Sequence, residues 1–229
     1  MNPPTDSARP SADTGDARLR LLRAAIRLFA HQGFAKTSTR ELAEAAQVNV
    51  AAISYYFGDK AGLYRAAFLE PMDPTEDLAR FTDPALPLAD ALAGFYAGFL
   101  EPLRQGDEAR LCTKLHLREM LESTGLVDGG LARSIQPLHE ALLALLRHHL
   151  GLDALDGELQ RLALCIEGLG VQLHVGLDIN EALAPGVNTE PGAIDRWHDT
   201  LVRAALAMVE AEAQRRGRPL ARPAERSIA

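Results

Sequence analysis

The sequence predicts an all-α protein of about nine helices: an N-terminal helix-turn-helix head followed by a larger helical body. Three observations carry this. Apolar residues recur at spacings of three and four almost everywhere and nowhere alternate convincingly as strands do. Breakers rich in Gly, Pro, Asn and Asp separate these segments. The 229 residues are 47% hydrophobic and 24% charged, a balance that excludes wholesale disorder and suffices for one domain, or a small and a large one sharing a core.

The elements follow in order. Residues 1–15, rich in Pro, Ser, Thr and Asp, read as a disordered arm without the apolar core of a signal peptide. Asp16 is expected to cap a first helix with an apolar stripe of Leu19, Leu22, Ile26 and Phe29, which Gly33 stops. Ser38 or Thr39 caps a short second helix through Ala46, and Gln47-Val48-Asn49 forms a tight turn. A third helix runs from about Val50 to Phe57. Gly58-Asp59 breaks it, and Asp59 caps a fourth that ends before Pro71. Residues 16–70 are the head. Pro71, Pro74, Pro84 and Pro87 mark a hinge, because proline cannot continue a helix. Body helices are expected at roughly 87–103, 108–122, 131–150, 157–178 and 191–215, within a domain spanning 71–216, and 217–229 reads as a flexible tail.

Charge is unevenly placed. The net charge of −7 argues, as an average, against a nucleic-acid partner, since phosphate is bound mainly by Lys and Arg. Residues 1–65, however, carry nine Lys/Arg against six Asp/Glu, whereas the other 164 carry fifteen against twenty-five. A +3 head on a −10 body is the asymmetry of a nucleic-acid-binding module on an acidic support. Two cysteines, Cys112 and Cys165, are too few for a disulfide framework, fit a reducing cytoplasm, and read as small buried hydrophobes. No run of eighteen apolar residues is present, so no membrane partner is expected.

Two short helices, a three-residue turn and a third helix make a helix-turn-helix. Leu42, Ala43, Ala46, Ala52 and Ile53 are small or branched enough to let the short helices cross closely, with Phe34 and Phe57 closing them against the first helix. The third helix then offers Asn49, Val50, Ala51, Ser54, Tyr55 and Tyr56 outward. Small residues at its start admit the backbone to a DNA major groove, where polar and aromatic side chains reach bases and phosphates. Thr39 is placed to cap its helix and meet a phosphate, and Lys60 to neutralise one. Tyr56 and Phe57 also suit a core role, which leaves Tyr55 the clearer contact.

The stretch Thr37–Leu63, TSTRELAEAAQVNVAAISYYFGDKAGL, resembles the DNA-binding head of TetR-family repressors, with Thr37, Arg40, Leu42, Ala43, Ala46, Val48, Ile53, Tyr56, Phe57, Lys60 and Leu63 in the family's places. Gln47 stands where the turn usually has glycine, and Ser54 where a tyrosine is frequent. Asn49–Tyr64, with Arg118-Glu119-Met120, Ser123-Thr124 and Pro137-Leu138-His139, is similar to CecR-type regulators, whose targets suggest efflux or antibiotic response. The resemblance implies DNA contacts by Thr39, Arg40, Asn49, Ala51, Ala52, Tyr55, Tyr56 and Lys60, with Arg40 at a guanine edge. It also implies a homodimeric repressor on a palindromic double-stranded operator, released by a small-molecule effector, without a cofactor.

For the dimer, two apolar seams are the expected interface: Leu159, Leu162, Ile166, Leu169 and Leu173, then Ile194, Trp197, Leu201, Ala205 and Met208. Their alternative use is packing within one subunit. An effector pocket is expected from Phe95, Phe99, Leu115, Met120, Leu142, Leu145 and Leu146, with His116, His139, His149 and His174 as polar points, unless these are plain core. No metal is expected. His148 and His149 diverge, and only His174 with Asp178 has a usable spacing. No nucleophile elbow, phosphate loop or dinucleotide fingerprint supports an enzyme, and Glu119 with Glu122 reads as a solvated face. A helical protein-interaction scaffold is the alternative to a regulator, with a small helical enzyme after it.

Overall fold

The computed structural model describes residues 13–70, 80–127 and 129–218, together with Leu78 and Leu220. Among them every regular element is a helix, and there are ten. The head comprises α1 (Asp13–Gln32), α2 (Thr39–Ala45), α3 (Ala51–Phe57) and α4 (Lys60–Leu69). The body comprises α5 (Leu88–Gln105), α6 (Asp107–Leu121), α7 (Gly130–His149), α8 (Gly157–Val175), α9 (Leu177–Leu183) and α10 (Ala193–Arg215). The all-α architecture read from the sequence is therefore present, with one helix more than the spacing suggested. That helix is α9: the chain breaks at Gly176 and restarts, where the sequence reading ran one helix to 178. Pro71, Pro74 and most of the arm and tail lie outside the described residues.

Local chemistry explains most helix ends. The first helix begins at Asp13, so Asp16 lies inside it rather than capping it. Gly33, at φ 79°, stops it with its N–H donated to Phe29 O at 2.9 Å. Ser38, not Thr39, caps α2 in a full capping box: its hydroxyl accepts from Glu41 N, and the Glu41 carboxylate accepts from Ser38 N at 2.8 Å. Those bonds, led by the one to the Ser38 backbone, hold the Glu41 carboxyl below the usual carboxylate range. Asp59 caps α4 through Gly62 N, as its position suggested. Gly62 is obligatory, because a β-carbon there would sit 1.9 Å from Phe57 O.

The α2–α3 turn closes as a Schellman motif, with Val48 N donating to Ala43 O and Gln47 N to Glu44 O, both at 3.0 Å. It requires a left-handed residue, and Gln47, at φ 55°, is the non-glycine residue with positive φ among those described. A side chain in that conformation costs about 1 kcal/mol relative to glycine. Gln47→Gly is expected to raise the melting temperature by about 2–4 °C in a thermal scan, whereas a fall would mean that the Gln47 side chain is itself stabilising.

Two cores result. The head core gathers Leu21, Ala25, Ile26 and Phe29 of α1, Leu42 of α2, Ile53 of α3, and Leu63, Tyr64 and Phe68 of α4. Rings of Phe29, Phe34 and Tyr64 meet at 5.0–6.0 Å within it. Leu115 of α6 and Val127 also belong to this core, so α6 is shared between head and body. The body core joins α5, α7, α8 and α10 around Phe95, Tyr96, Leu142, Leu146, Ile166, Leu201 and Ala205. Tyr96 donates its hydroxyl to Ile166 O at 2.9 Å, which satisfies the polar end of a ring otherwise fully buried.

Three sequence expectations are corrected here. Leu159, Ile166, Leu173, Leu201 and Ala205 are at most 4% exposed and fill their own subunit's core, so those parts of the two seams are not open to a partner. Cys165 is exposed, not buried, while Cys112 is half-buried. Glu119 is 3% exposed and does not belong to a solvated face.

Candidate nucleic-acid interface

The α2–α3 pair presents a coherent outward face. Ile53 is buried against the head core, and Ala52 and Tyr56, one and five positions from α3's start, pack partly against it. The opposite side of α3 then carries Ala51, Ser54 and Tyr55 into solvent. Tyr55 is 78% exposed, and its ring makes an edge contact with Tyr56 at 4.8 Å that limits its freedom. Ser54 is exposed beside it. An exposed aromatic held in place by a half-buried neighbour suits contact with a sugar-phosphate strand or a base edge.

Asn49 has a more specific arrangement than the sequence suggested. Its side-chain oxygen accepts from Ala51 N at 2.9 Å, which ties it to the start of α3. The amide NH2 therefore remains to donate, and it suits an acceptor such as purine N7 or a phosphate oxygen. Thr39 is the first residue of α2 and half-buried, and its expected capping role falls to Ser38. Arg40 projects from the exposed side of α2. Lys60 sits over the Phe34 ring with Nζ 4.2 Å from the centroid, so the ammonium is positioned rather than loose.

Sequence reasoning put Val50 on the outward face without naming it a contact, and missed Lys36. Val50 occupies the N-cap of α3 and is 44% exposed, an apolar surface suited to a thymine methyl group. Lys36 is exposed in the loop before α2. It also missed Arg20, whose Nε donates to Ala46 O at 3.1 Å and ties α1 to the C-terminus of α2. An arginine among several on one helix gives no signal of that particular reach.

The head is joined to the body by a buried polar cluster. Tyr64 of α4 donates its hydroxyl to Glu119 of α6 at 2.6 Å. The other Glu119 oxygen accepts from Thr124 N at 2.9 Å, from the Thr124 hydroxyl at 3.1 Å and from Ser123 Oγ at 3.4 Å. Burial and the adjacent carboxylate push the Tyr64 phenol well above its ordinary range, so it stays a donor. One turn earlier, His116 stacks on Phe68 with ring centroids 4.1 Å apart. Desolvation lowers its pKa, which favours the neutral ring.

The expected effector pocket is not assembled as such. Phe95, Leu142 and Leu146 are fully buried core, Leu145 is nearly so, and Leu115 and His116 face the head. Met120 is 49% exposed. His139 pairs with Glu167 at 2.9 Å between α7 and α8, while His149 is buried. Phe99 is half-buried beside His174, whose Nε2 donates to Phe99 O at 2.7 Å. Of these candidates His174 alone lines either of two neighbouring cavities, of about 360 and 250 Å3, which meet at Leu103 and Arg110. Among the described residues no cluster of His, Cys, Asp and Glu is arranged to hold a metal ion, and the Asp178 side chain lies outside them. Among the described residues no helix is long and apolar enough to cross a membrane.

Comparison with known proteins places both halves. Residues 21–67 match the model for bacterial regulatory proteins of the tetR family. Residues 88–211, more than half the chain, match the C-terminal domain of the HTH-type transcriptional dual regulator CecR. The CecR protein of Shigella flexneri is 32% identical over 152 residues, covering 61% of this chain and 67% of its own length. A probable HTH-type transcriptional regulator of Bacillus subtilis, YttP, is 52% identical over 44 residues, which are 19% of this chain and only 21% of that protein. Among solved structures, a TetR-like transcriptional regulator from Rhodococcus sp. RHA1 superimposes with a TM-score of 0.61 at 24% identity, covering 89% of this chain and 99% of that one. The SmeT–triclosan complex does so with a TM-score of 0.59 at 18% identity, covering 83% and 90%.

Proposed function

Because the chain belongs to the TetR family of transcriptional regulators, with a C-terminal domain of the CecR type, we propose that it is a dimeric repressor of a palindromic operator, released by a small molecule. The observation that carries this reading is the solvent side of the α2–α3 pair, where Arg40, Asn49, Ala51, Ser54 and Tyr55 are each exposed. On this reading Arg40 and Asn49 donate to base edges, and the small Ala51 with half-buried Ala52 lets the helix lie deep in the groove. Tyr55, Ser54, Thr39 and Lys60 serve the phosphates, and Tyr56 buttresses Tyr55. The head corresponds to residues 16–70 and the body to 71–216, with α6 of the body packed into the head core. It acts where the DNA is, in the cytoplasm.

Two heads are needed, because half-sites one helical turn apart are read by a two-fold dimer. With the internal halves of the seams buried, the surface offered for pairing is the outer side of α8 and α10. Leu164 and Val175 are 58% and 52% exposed on α8, with Gly168 between them, and Ala207 and Ala211 are exposed on α10. Small residues beside exposed aliphatic ones allow close isologous helix packing. Release follows if an effector favours a head spacing that does not match the half-sites.

Selection of bound genomic fragments by the purified full-length protein tests the reading. One or a few enriched sites sharing an inverted repeat are expected. Recovery of no sequence above background by folded dimer would contradict it.

A further inference from the structure

The two cavities that meet at Leu103 and Arg110 have a chemical character of their own. The larger, about 360 Å3, opens between α1, α5, α6 and the end of α8. Its walls are largely aliphatic, from Leu103, Leu117, Leu121 and Val175. Three cations of α6 also face it, Arg110, Lys114 and Arg118, spaced four residues apart on one side of the helix. Arg118 is neutralised by Glu122 at 2.9 Å, the carboxylate in this lining. Arg110 and Lys114 have no carboxylate partner among the described residues. Arg110 is instead oriented by donating to Leu103 O at 3.0 Å. Two unpaired cations over an aliphatic trough, in a body that is otherwise acidic, lack only an anion.

We propose that this trough binds an organic anion with an apolar body, its carboxylate held by Arg110 and Lys114 and its hydrocarbon part laid along Leu117, Leu121 and Val175. This names the effector class for the regulator reading above and rests on it. The volume lies at the small end of the range for drug-sized ligands, about 300–1,000 Å3. A cationic ligand is disfavoured, because it would face Arg110 and Lys114 while Glu122, the carboxylate in this lining, is already paired. His174 adds no charge, since burial lowers its pKa and its Nε2 is spent on Phe99 O.

The location links the site to the head. The Arg118 guanidinium lies against Gly33, where a β-carbon would be 2.8 Å from Nε, at the end of α1. The opposite side of α6 carries Leu115, His116 and Glu119 into the head core and onto α4. An anion seated between Arg110 and Lys114 therefore acts on the body helix that enters the head core.

The test is isothermal calorimetry of the full-length dimer, without DNA, using octanoate, octanol and octylammonium as probes of equal chain length. Octanoate is expected to bind at least tenfold more tightly than the other two. The Arg110→Gln/Lys114→Gln variant, folded by thermal scan, is expected to lose that preference, and Lys114→Arg to keep it. Equal binding of octanol or octylammonium, octanoate binding unchanged in the double variant, or no octanoate binding at millimolar concentration would each overturn the proposal. Operator binding by the same preparation, measured in parallel without ligand, separates failure of this site from failure of the DNA-binding reading.

Discussion

Leu164→Asp is expected to leave the subunit folded, convert the protein to monomers and lower operator affinity at least 100-fold. The side chain is 58% exposed on α8, so a charge there disturbs no internal packing. In a two-fold dimer the same position meets its mate across or near the axis, where two carboxylates would be desolvated together. Loss of pairing removes the second head. Two linked modules commonly exceed either alone by about 10²–10⁴. Sedimentation velocity and fluorescence anisotropy on one sample check both halves. A dimeric Leu164→Asp protein with unchanged affinity would move the interface off α8. Ile166→Asp is the internal control: that residue is fully buried, and the variant is expected not to fold.

Glu119→Ala is expected to cost about 3 kcal/mol of stability in urea unfolding, and Tyr64→Phe about 1 kcal/mol. The difference follows from what each leaves behind. Without the carboxylate, the Tyr64 hydroxyl and the Thr124 N–H and hydroxyl all lose their acceptor, in a site where Glu119 is 3% and Tyr64 1% exposed. Without the tyrosine hydroxyl, Glu119 still accepts from Thr124 and Ser123. Because the Tyr64–Glu119 bond joins α4 to α6, both variants are also expected to weaken the effector's influence on DNA binding. A Glu119→Ala protein within 0.5 kcal/mol of the parent would show the cluster to be compensated elsewhere.

What the sequence disclosed and what it hid divide along physical lines. Caps, turns and helix periodicity are local, so Ser38, Gly33 and Asp59 fell where residue chemistry puts them. The α2–α3 pair was legible for the same reason: in a small head nearly every residue is either crossing point or surface. Gln47 was marked as unusual by its identity, and the structure gives the reason in its left-handed backbone.

The body was less legible because its helices are apolar on more than one side. A seam such as Leu159, Ile166 and Leu173 satisfies an internal core and a dimer interface equally well, and burial alone distinguishes them. The outer stripe of Leu164, Gly168 and Val175 is interrupted by glycine and polar residues, so periodicity did not single it out. Glu119 shows the converse. An acidic residue directly after Arg118 looks solvated in one dimension, and only its partners from α4 and the following loop show it buried. The cationic trough was missed because Arg110, Lys114 and Arg118 read as an ordinary exposed side of α6 until Leu103 and Val175 closed over it.

The most direct test of the whole account is a salt series of operator binding, by fluorescence anisotropy, with the parent protein, Arg40→Ala and Lys60→Ala. The operator is the inverted repeat recovered from the genomic selection, and a scrambled duplex of the same composition is the control. The account predicts that the parent separates the two duplexes by at least 10³-fold. Arg40→Ala should lose about 1–3 kcal/mol of that discrimination. Lys60→Ala should weaken both duplexes alike and flatten the slope of log affinity against log salt by about one unit. Equal affinity of the parent for both duplexes, or identical behaviour of the two variants, would contradict it.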